Sequence, residues 1–166
     1  MIDNVEMERV NRIINNSIFK HFYALIEEYE KNRIYCKHDM GHLLDVARLA
    51  WIFNLEEKLG ISREIIYATA ILHDIGKHEQ YVNKTPHEIA AIPIANSILC
   101  DCDFDESERE IILSAIKTHR DENQMKCRDL NRILYRADKM CRNCFNCDAR
   151  ASCHWDSEKM NLEIKY

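Results

Sequence analysis

The sequence predicts an all-α protein made of one domain. Its 166 residues match the length of one ordinary domain, which buries about two-thirds of the surface that the unfolded chain exposes. Only three glycines and two prolines occur, whereas Ile, Leu, Glu, Lys and Arg dominate. Such a composition favours long helices over tight turns. Apolar residues also recur at helical spacing along most of the chain.

Three helices are predicted in the first half of the chain. The first covers about residues 4–31, where apolar residues recur at helical spacing beside many charged ones. The second runs from about Met40 to Lys58 and ends before Gly60. The third begins after Ser62, which suits the N-cap position, and carries an apolar run into His73.

Three further helices are predicted in the second half. The tetrapeptide TPHE at 85–88 supplies a cap residue, a proline at the first helical position and a glutamate three residues after the cap. It is the best-defined helix start in the chain. Residues 105–108 give a weaker version of the same signal and open a helix that reaches His119. The sixth helix runs from about Asp129 to Asp138 or slightly beyond.

Composition also limits the class of partner. No apolar run approaches the roughly 18 to 20 residues that span a bilayer, and the acidic N-terminus MIDNVEMERV does not resemble a signal peptide. We therefore expect a soluble, cytoplasmic protein without a membrane partner. The net charge of -5 argues against stable nucleic-acid binding. A small phosphorylated substrate remains compatible, because buried metal ions can reverse the local field. The oligomeric state stays open.

Metal-ligating side chains recur at or near the predicted helix ends. They are His42, His73, Asp74, His87, His119 and Asp138. Imidazole and carboxylate ligands suit divalent metals such as Mn, Fe, Co, Ni or Zn, and the lack of thiolates in this set disfavours a structural zinc site. Adjacent residues diverge by about 100° on a helix. His73 and Asp74 therefore need a helix terminus to reach one site, and Gly76 makes a terminus plausible.

Five stretches of the chain resemble the HD superfamily of metal-dependent phosphohydrolases. They are HLLDVARLA from 42, AILHDIGK at 70–77, PHEIA from 86, IKTH ending at 119 and YRADK at 135–139. Together they extend over about two-thirds of the chain. The resemblance implies an HD-type bundle of several helices.

By the same resemblance, the basic ligand set is His42, His73, Asp74 and Asp138, and Asp74 is able to bridge two ions. His87 and His119 match the additional histidines of binuclear branches, which include hydrolases of dinucleoside tetraphosphates and cyclic dinucleotides. Two ions are therefore favoured over one. Arg120 departs from the pattern, since some binuclear members have a second histidine there. An isolated histidine more often caps a helix or bonds in a core, and this reading stays open for the two additional histidines.

The resemblance implies an enzyme that cleaves a phosphate ester or anhydride, with a nucleotide as the expected substrate. One or two ions of Mn, Fe, Co, Ni, Zn or Mg, about 3.5 to 4 Å apart if paired, would activate water and stabilise phosphoryl charge. Asp74 is the central catalytic residue. Lys77, three residues later, and Arg142, four residues after Asp138, are candidates for binding phosphate, although either could be a surface residue. A non-catalytic metal or nucleotide sensor could use the same ligands.

The tail from about 141 to 166 is rich in cysteine. Cys141, Cys144, Cys147 and Cys153 form a C-x2-C-x2-C-x5-C array. Without a secretory signal, reduced thiols or a metal site fit better than disulfides. The array could bind structural zinc, which we favour, or an iron–sulfur cluster, with His154 as a substitute ligand. Simple packing of the thiols is the alternative.

The spacing C-x2-C-x5-C also occurs in iron–sulfur DNA glycosylases. The chain has no basic patch and no glycine-rich hairpin to support that reading. We expect Trp155 to anchor the tail on the bundle. His38 and Asp39 could line the pocket, but a helix cap is the favoured role for Asp39.

Overall fold

The structure, a computed structural model, describes residues 7–166, and within them every regular element is a helix. The α-helices are α1 (Glu8–Asn15), α2 (Ser17–Tyr29), α3 (Met40–Glu57), α4 (Arg63–Leu72), α5 (Lys77–Asn83), α6 (His87–Asp101), α7 (Glu106–Thr118) and α8 (Leu130–Met140). Short 3-10 helices cover Glu122–Lys126, Cys144–Asn146 and Arg150–Ser152. The all-α fold is confirmed. No helix in the described part of the chain has the length and apolar character needed to cross a membrane.

The N-terminal part does not form the single helix predicted over 4–31. The chain is extended at Asn16, with φ -65° and ψ 137°, so that α1 ends there and α2 begins. The Asn16 side chain accepts hydrogen bonds from the backbone N–H groups of Ile18 and Phe19. An N-cap of this kind satisfies donors that a new helix leaves free, which explains the break. Positions 4–6 of the predicted helix lie outside the described residues.

The other helix starts agree with the sequence to within one or two residues. The Asp39 side chain caps α3 by accepting the His42 N–H at 2.9 Å. A capping box at α7 joins Asp105 and Glu108, although its sequence signal is the weaker one. At α6, by contrast, Pro86 occupies the N-cap position and no side chain caps the helix. Helix α5, whose seven residues are too few for a clear apolar period, was not predicted.

Helix α4 lies between the two parts of the apolar core. Its residues Ile66 and Ala70 belong to a cluster formed with α3, α7 and α8. Its residues Ala68 and Ile71 belong to a second cluster formed with α1, α2, α6 and α7. A helix with apolar residues on all sides is buried in the centre of a domain. The chain that leaves α4 therefore enters the interior of the bundle.

The turn after α4 packs directly on the start of α6. Gly76 has a φ of -83°, so it is not in the left-handed conformation that would end a helix. A Cβ atom there would lie 2.4 Å from the His87 carbonyl oxygen and 2.5 Å from the Ala91 nitrogen. Glycine is thus required for close approach of two backbones, a different reason from the one that the sequence suggested. This contact brings the turn beside His87.

The tail after α8 folds back onto the bundle. The Asn161 side-chain amide donates to the carbonyl oxygens of Lys139 and Arg142, at 2.8 Å and 3.0 Å. The Tyr166 ring lies edge-on to Phe53, with ring centroids 5.0 Å apart. Trp155, which was expected to anchor the tail, is only partly buried and lines a cavity. The contacts that fix the tail therefore include Asn161 and Tyr166.

Candidate metal centre

The His73-Asp74 pair lies in the turn between α4 and α5, and both side chains are buried. The Nδ1 atom of His73 lies 2.6 Å from the carbonyl oxygen of Ala70. Because a carbonyl only accepts, Nδ1 carries the proton. The Nε2 atom of the same ring is buried without a hydrogen-bond partner, and it lies 3.0 Å from Asp74 Oδ2. The turn thus directs both residues of the pair to one point.

A first group of ligand atoms lies within 4.8 Å of one another and consists of His42, His73, Asp74 and Asp138. His42 stands in the first turn of α3, and its Nε2 lies 3.5 Å from Asp74 Oδ2 and 3.4 Å from Asp138 Oδ1. Asp138 stands in the last turn of α8, 3.7 Å from His73 Nε2. Three separate helix ends therefore supply one buried site.

A second group consists of Asp74, His87 and His119. His87 begins α6 and His119 follows α7. Asp74 Oδ1 lies 3.1 Å from His87 Nε2 and 3.9 Å from His119 Nε2, whereas Asp74 Oδ2 faces the first group. Arg120, the departure noted in the sequence, is exposed and lies 3.4 Å from Glu88. One carboxylate is thus shared by both groups, with one oxygen directed to each.

The second group fits a cation between its two imidazoles. His119 Nδ1 lies 2.6 Å from the Ile116 carbonyl oxygen, and the nearest partner of His87 Nδ1 is Gln80 Oε1. With a proton on each Nδ1, both neutral rings present a lone pair at Nε2, and these atoms lie 3.0 Å apart. Two buried acceptors at this distance are stable only when they share a proton or a metal ion. The buried His and Asp groups could therefore bind a divalent metal.

The charges of the centre also favour a bound cation. Burial opposes protonation of His73, but the Asp74 and Asp138 carboxylates raise the pKa of its ring to about 10. These two buried carboxylates thus stabilise a positive charge at this point, which a metal ion would supply in place of the ring proton. Burial would raise the pKa of both carboxyl groups, yet the surrounding histidines hold each pKa well below its ordinary value. Burial and the charge of His73 lower the pKa of His119 to about 3. Its lone pair is consequently available at neutral pH.

Lys77 and Arg142, the predicted phosphate-binding residues, both line the cavity above the ligand groups. Arg142 Nη2 lies 3.1 Å from His42 Nε2 and 4.0 Å from Asp138 Oδ1. Lys77 Nζ lies 3.4 Å from His87 Nδ1, and burial lowers the pKa of this lysine. Each cation therefore lies beside one ligand group, and its role in binding phosphate stays a prediction.

The cavity over the two ligand groups has a volume of about 1110 Å³. Nine Lys and Arg residues line it against five Asp and Glu residues, although the whole chain carries a net charge of -5. Clefts lined mainly by one sign of charge concentrate ligands of the opposite sign. The volume slightly exceeds the range of about 300 to 1,000 Å³ that is usual for small-molecule sites. An anionic ligand therefore suits the cavity.

His38, which the sequence suggested as a pocket-lining residue, and Glu30, which it did not suggest, extend the centre. His38 Nε2 lies 3.9 Å from Asp74 Oδ2, while its Nδ1 bonds to Glu30, which also accepts from the Tyr81 hydroxyl. Burial would raise the pKa of Glu30, but its hydrogen bonds with His38 and Tyr81 lower the pKa to about 2. At metal sites, a carboxylate that accepts a hydrogen bond from the second ring nitrogen of a histidine fixes the orientation of that ring. The sequence feature that could have indicated this role of His38 is its four-residue spacing from His42.

Cys141 differs from the other cysteines of the predicted array in what it contacts. Its Sγ lies 3.4 Å from His42 Nδ1 and 3.4 Å from the backbone oxygen of Asp138, to which it donates. This cysteine therefore borders the metal centre. The other three of the array follow in the tail, and all eight cysteines of the chain are free thiols. A metal site at the four-cysteine array stays a prediction.

Comparison with known proteins supports the resemblance noted in the sequence. The model of the HD domain family matches residues 39–143, which include both ligand groups. A protein of Clostridium beijerinckii, described as an uncharacterized protein, is 46% identical over 160 residues, which are 96% of this chain and 100% of that protein. No solved structure matches the chain.

Proposed function

The chain belongs to the HD domain family, and we propose that it is a metal-dependent hydrolase of a phosphate ester or anhydride, with a nucleotide as substrate. The observation that carries this proposal is the shared carboxylate Asp74, whose two oxygens face two separate ligand groups. Such an arrangement suits two ions side by side, as in enzymes that displace phosphoryl groups.

The metal requirement follows from the ligands. When bound, divalent ions supply the Lewis acidity that makes water a nucleophile at neutral pH and that stabilises charge on phosphoryl oxygens. Two of the six ligand side chains, His73 and His119, are held by hydrogen bonds from Nδ1 to backbone carbonyl groups, so their Nε2 atoms are left to bind an ion. No serine or cysteine nucleophile is needed for hydrolysis by this route.

Substrate phosphate would be held by the two cations beside the ligand groups. Arg142 presents a planar guanidinium whose other nitrogen is fixed by the Lys37 carbonyl oxygen at 2.9 Å. A guanidinium held in this way can bind two phosphate oxygens at once. Lys77 supplies a second positive charge from the opposite group. Together they would orient the phosphate between the two sites and limit its rotation.

The test is metal analysis of the purified protein, followed by assays on phosphate monoesters, diesters, nucleoside polyphosphates and dinucleotides. Each substrate is supplied in turn with Mn, Co, Fe, Ni and Mg. We expect hydrolysis of at least one nucleotide, lost on chelation and restored by one of these metals. Protein that holds its metals but hydrolyses none of the substrates would instead favour a non-catalytic sensor.

The roles of the two cations are tested separately by Arg142→Gln and Lys77→Gln. We expect a KM at least about tenfold higher in each, because a charge-assisted phosphate contact is lost. Arg48→Gln is the matched control, since Arg48 is exposed on α3 and, within residues 7–166, pairs only with Asp45. Unchanged KM in both cavity variants would contradict the assignment of these residues to phosphate.

A further inference from the structure

Cys36, which is remote in sequence from the C-terminal cysteines, is brought to them from both sides. Its neighbour Tyr35 donates a hydrogen bond through its hydroxyl to the Ser152 carbonyl oxygen, at 3.2 Å. Its other neighbour, Lys37, accepts a bond from Arg142 Nη1 at 2.9 Å. The first contact ends next to Cys153, and the second ends two residues before Cys144. The segment 35–37 is therefore attached to the tail at two points.

Cys144, Cys147 and Cys153 follow one another in a series of tight turns. The Cys147 N–H donates to the Cys144 carbonyl oxygen at 3.4 Å, the Arg150 N–H to Cys147 at 3.2 Å and the Cys153 N–H to Arg150 at 3.2 Å. These bonds reverse the chain repeatedly, so three cysteines separated by up to nine positions stay within a short distance. They line the same cavity as Cys36.

The electrostatics of Cys36 agree with this placement. Burial raises the pKa of the Cys36 thiol, Arg142 opposes this effect, and Cys144, Cys147 and Cys153 would raise the pKa further when ionised. Salt screens interactions between charges beyond about 10 Å. The four thiols of Cys36, Cys144, Cys147 and Cys153, called the thiol cluster below, thus form one neighbourhood.

The remaining cysteines have other surroundings. Cys141 contacts His42 and Asp138 at the metal centre. Cys102 follows α6 and packs in the apolar core, and Cys127 donates to Gln124. In the folded chain, Cys36 therefore takes the place beside Cys144, Cys147 and Cys153 that the sequence pattern assigned to Cys141.

We propose that Cys36, Cys144, Cys147 and Cys153 bind an iron–sulfur cluster through their thiolates. Four cysteine thiolates are the usual ligands of such clusters. The cations nearest the site suit its charge, because four thiolates make it anionic. Arg33 donates to the Cys36 carbonyl oxygen at 2.8 Å, and Arg142 lines the same cavity.

The spacing of the sulfur atoms favours a cluster over a single zinc ion. With Zn–S bonds of about 2.3 Å, tetrahedral zinc would hold its four sulfurs only about 3.8 Å apart. Among the residues that the structure describes, the groups of three or more ligand atoms within 4.8 Å of one another include no cysteine sulfur. An iron–sulfur cluster contains several iron atoms, so its four cysteine sulfurs lie farther apart than those around one zinc ion. The cysteines also lack the two close pairs that are typical of structural zinc sites.

The experiment is anaerobic purification of the full chain, followed by measurement of iron, zinc and acid-labile sulfide per chain and of the visible absorbance from sulfide-to-iron charge transfer. Sulfide is the decisive quantity, since iron held by His and Asp ligands brings none. We expect sulfide in the unaltered protein and loss of most of it in Cys36→Ser and Cys144→Ser. Cys141→Ser and Cys100→Ser are the matched controls, and both should keep it.

Two results would overturn the proposal. The first is zinc at the tail without sulfide in the unaltered protein. The second is sulfide that survives Cys36→Ser but is lost in Cys141→Ser, which would restore the four-cysteine array read from sequence. If Cys36→Ser does not fold, Mössbauer spectra of the unaltered protein replace the variant. Iron with four sulfur ligands is then expected, and iron with only nitrogen and oxygen ligands would contradict the cluster.

Discussion

The metal centre and the cysteine-rich tail both gather potential metal ligands, but different forces hold the two sets in place. At the metal centre the ligands stand at the ends of helices whose apolar faces form the core, and ring nitrogens are fixed by backbone carbonyl groups. The tail has two three-residue 3-10 helices, at Cys144–Asn146 and Arg150–Ser152, and mostly exposed side chains. Its only buried residue is Cys144.

The difference indicates which interactions stabilise the folded conformation of each region. Burial of a large apolar side chain contributes about 1.5 to 3 kcal/mol, and the bundle buries many of them. Apolar burial therefore holds the helix ends that carry the ligands. The tail has little apolar burial of its own, so a bound metal would have to supply much of its stability, as it does in small metal-dependent domains.

The largest effect should come from Asp74→Asn. Asp74 alone belongs to both ligand groups, so replacement of its carboxylate should weaken both ion sites and reduce hydrolysis at least about 100-fold. Metal content and turnover measured on the same preparation test this expectation. Asp101→Asn, at the exposed end of α6, is the control and should leave both unchanged. A variant that keeps two ions would show that the shared carboxylate does not join the sites.

Limited trypsin digestion compares the two regions directly. We expect cleavage in the tail, after Arg150 or Lys159, at least about tenfold faster than any cleavage within α3 to α8, because the tail opens at lower free energy. Mass spectrometry of early time points identifies the first cut. A first cut inside the bundle would mean that the tail is the better ordered of the two regions.

A substitution at Gly76 should affect the metal centre through the backbone. In Gly76→Ala the added carbon would meet the His87 carbonyl oxygen, so α6 must shift and carry His87 away from Asp74. We expect a loss of about 3 kcal/mol in the free energy of unfolding and weaker binding of one ion of two. Gly60→Ala is the matched comparison, since a Cβ there meets nothing and only the positive φ of 72° is strained. Equal metal content in both variants would contradict the close-approach argument.

The smallest effect concerns Glu30 and depends on pH. The pKa of Glu30 is lowered to about 2 in the folded chain, so its carboxylate stabilises the fold above the unfolded pKa of about 4.5, and this contribution is lost as the pH falls towards 2. Glu30→Gln should therefore lower the free energy of unfolding by about 1 to 2 kcal/mol at pH 7.

The difference between the two proteins should shrink steadily below pH 4.5. Urea unfolding of metal-free protein measures it, so that loss of ions in acid plays no part. Glu106→Gln, on the exposed first turn of α7, serves as the control. A stability difference that stays constant down to pH 2 would show that Glu30 is not held ionised.

Sequence patterns predicted the helical fold, the starts of five helices to within about two residues, and the residues that meet in the two ligand groups. These features are local, because apolar periodicity and cap residues act over a few positions. The break at Asn16 was missed because the apolar period continues across it. The contact at Gly76, the Glu30–His38 pair and the position of Cys36 could not be read from spacing, since each depends on segments that meet only in the folded chain.

The shared carboxylate of Asp74 has a consequence for how such a protein can change over generations. Loss of His87 or His119 removes a ligand from one group alone, so a descendant could lose that group and keep the other. Loss of Asp74 removes a ligand from both groups in a single step. Related proteins should therefore vary at His87 and His119 but keep Asp74, on which both ligand groups depend.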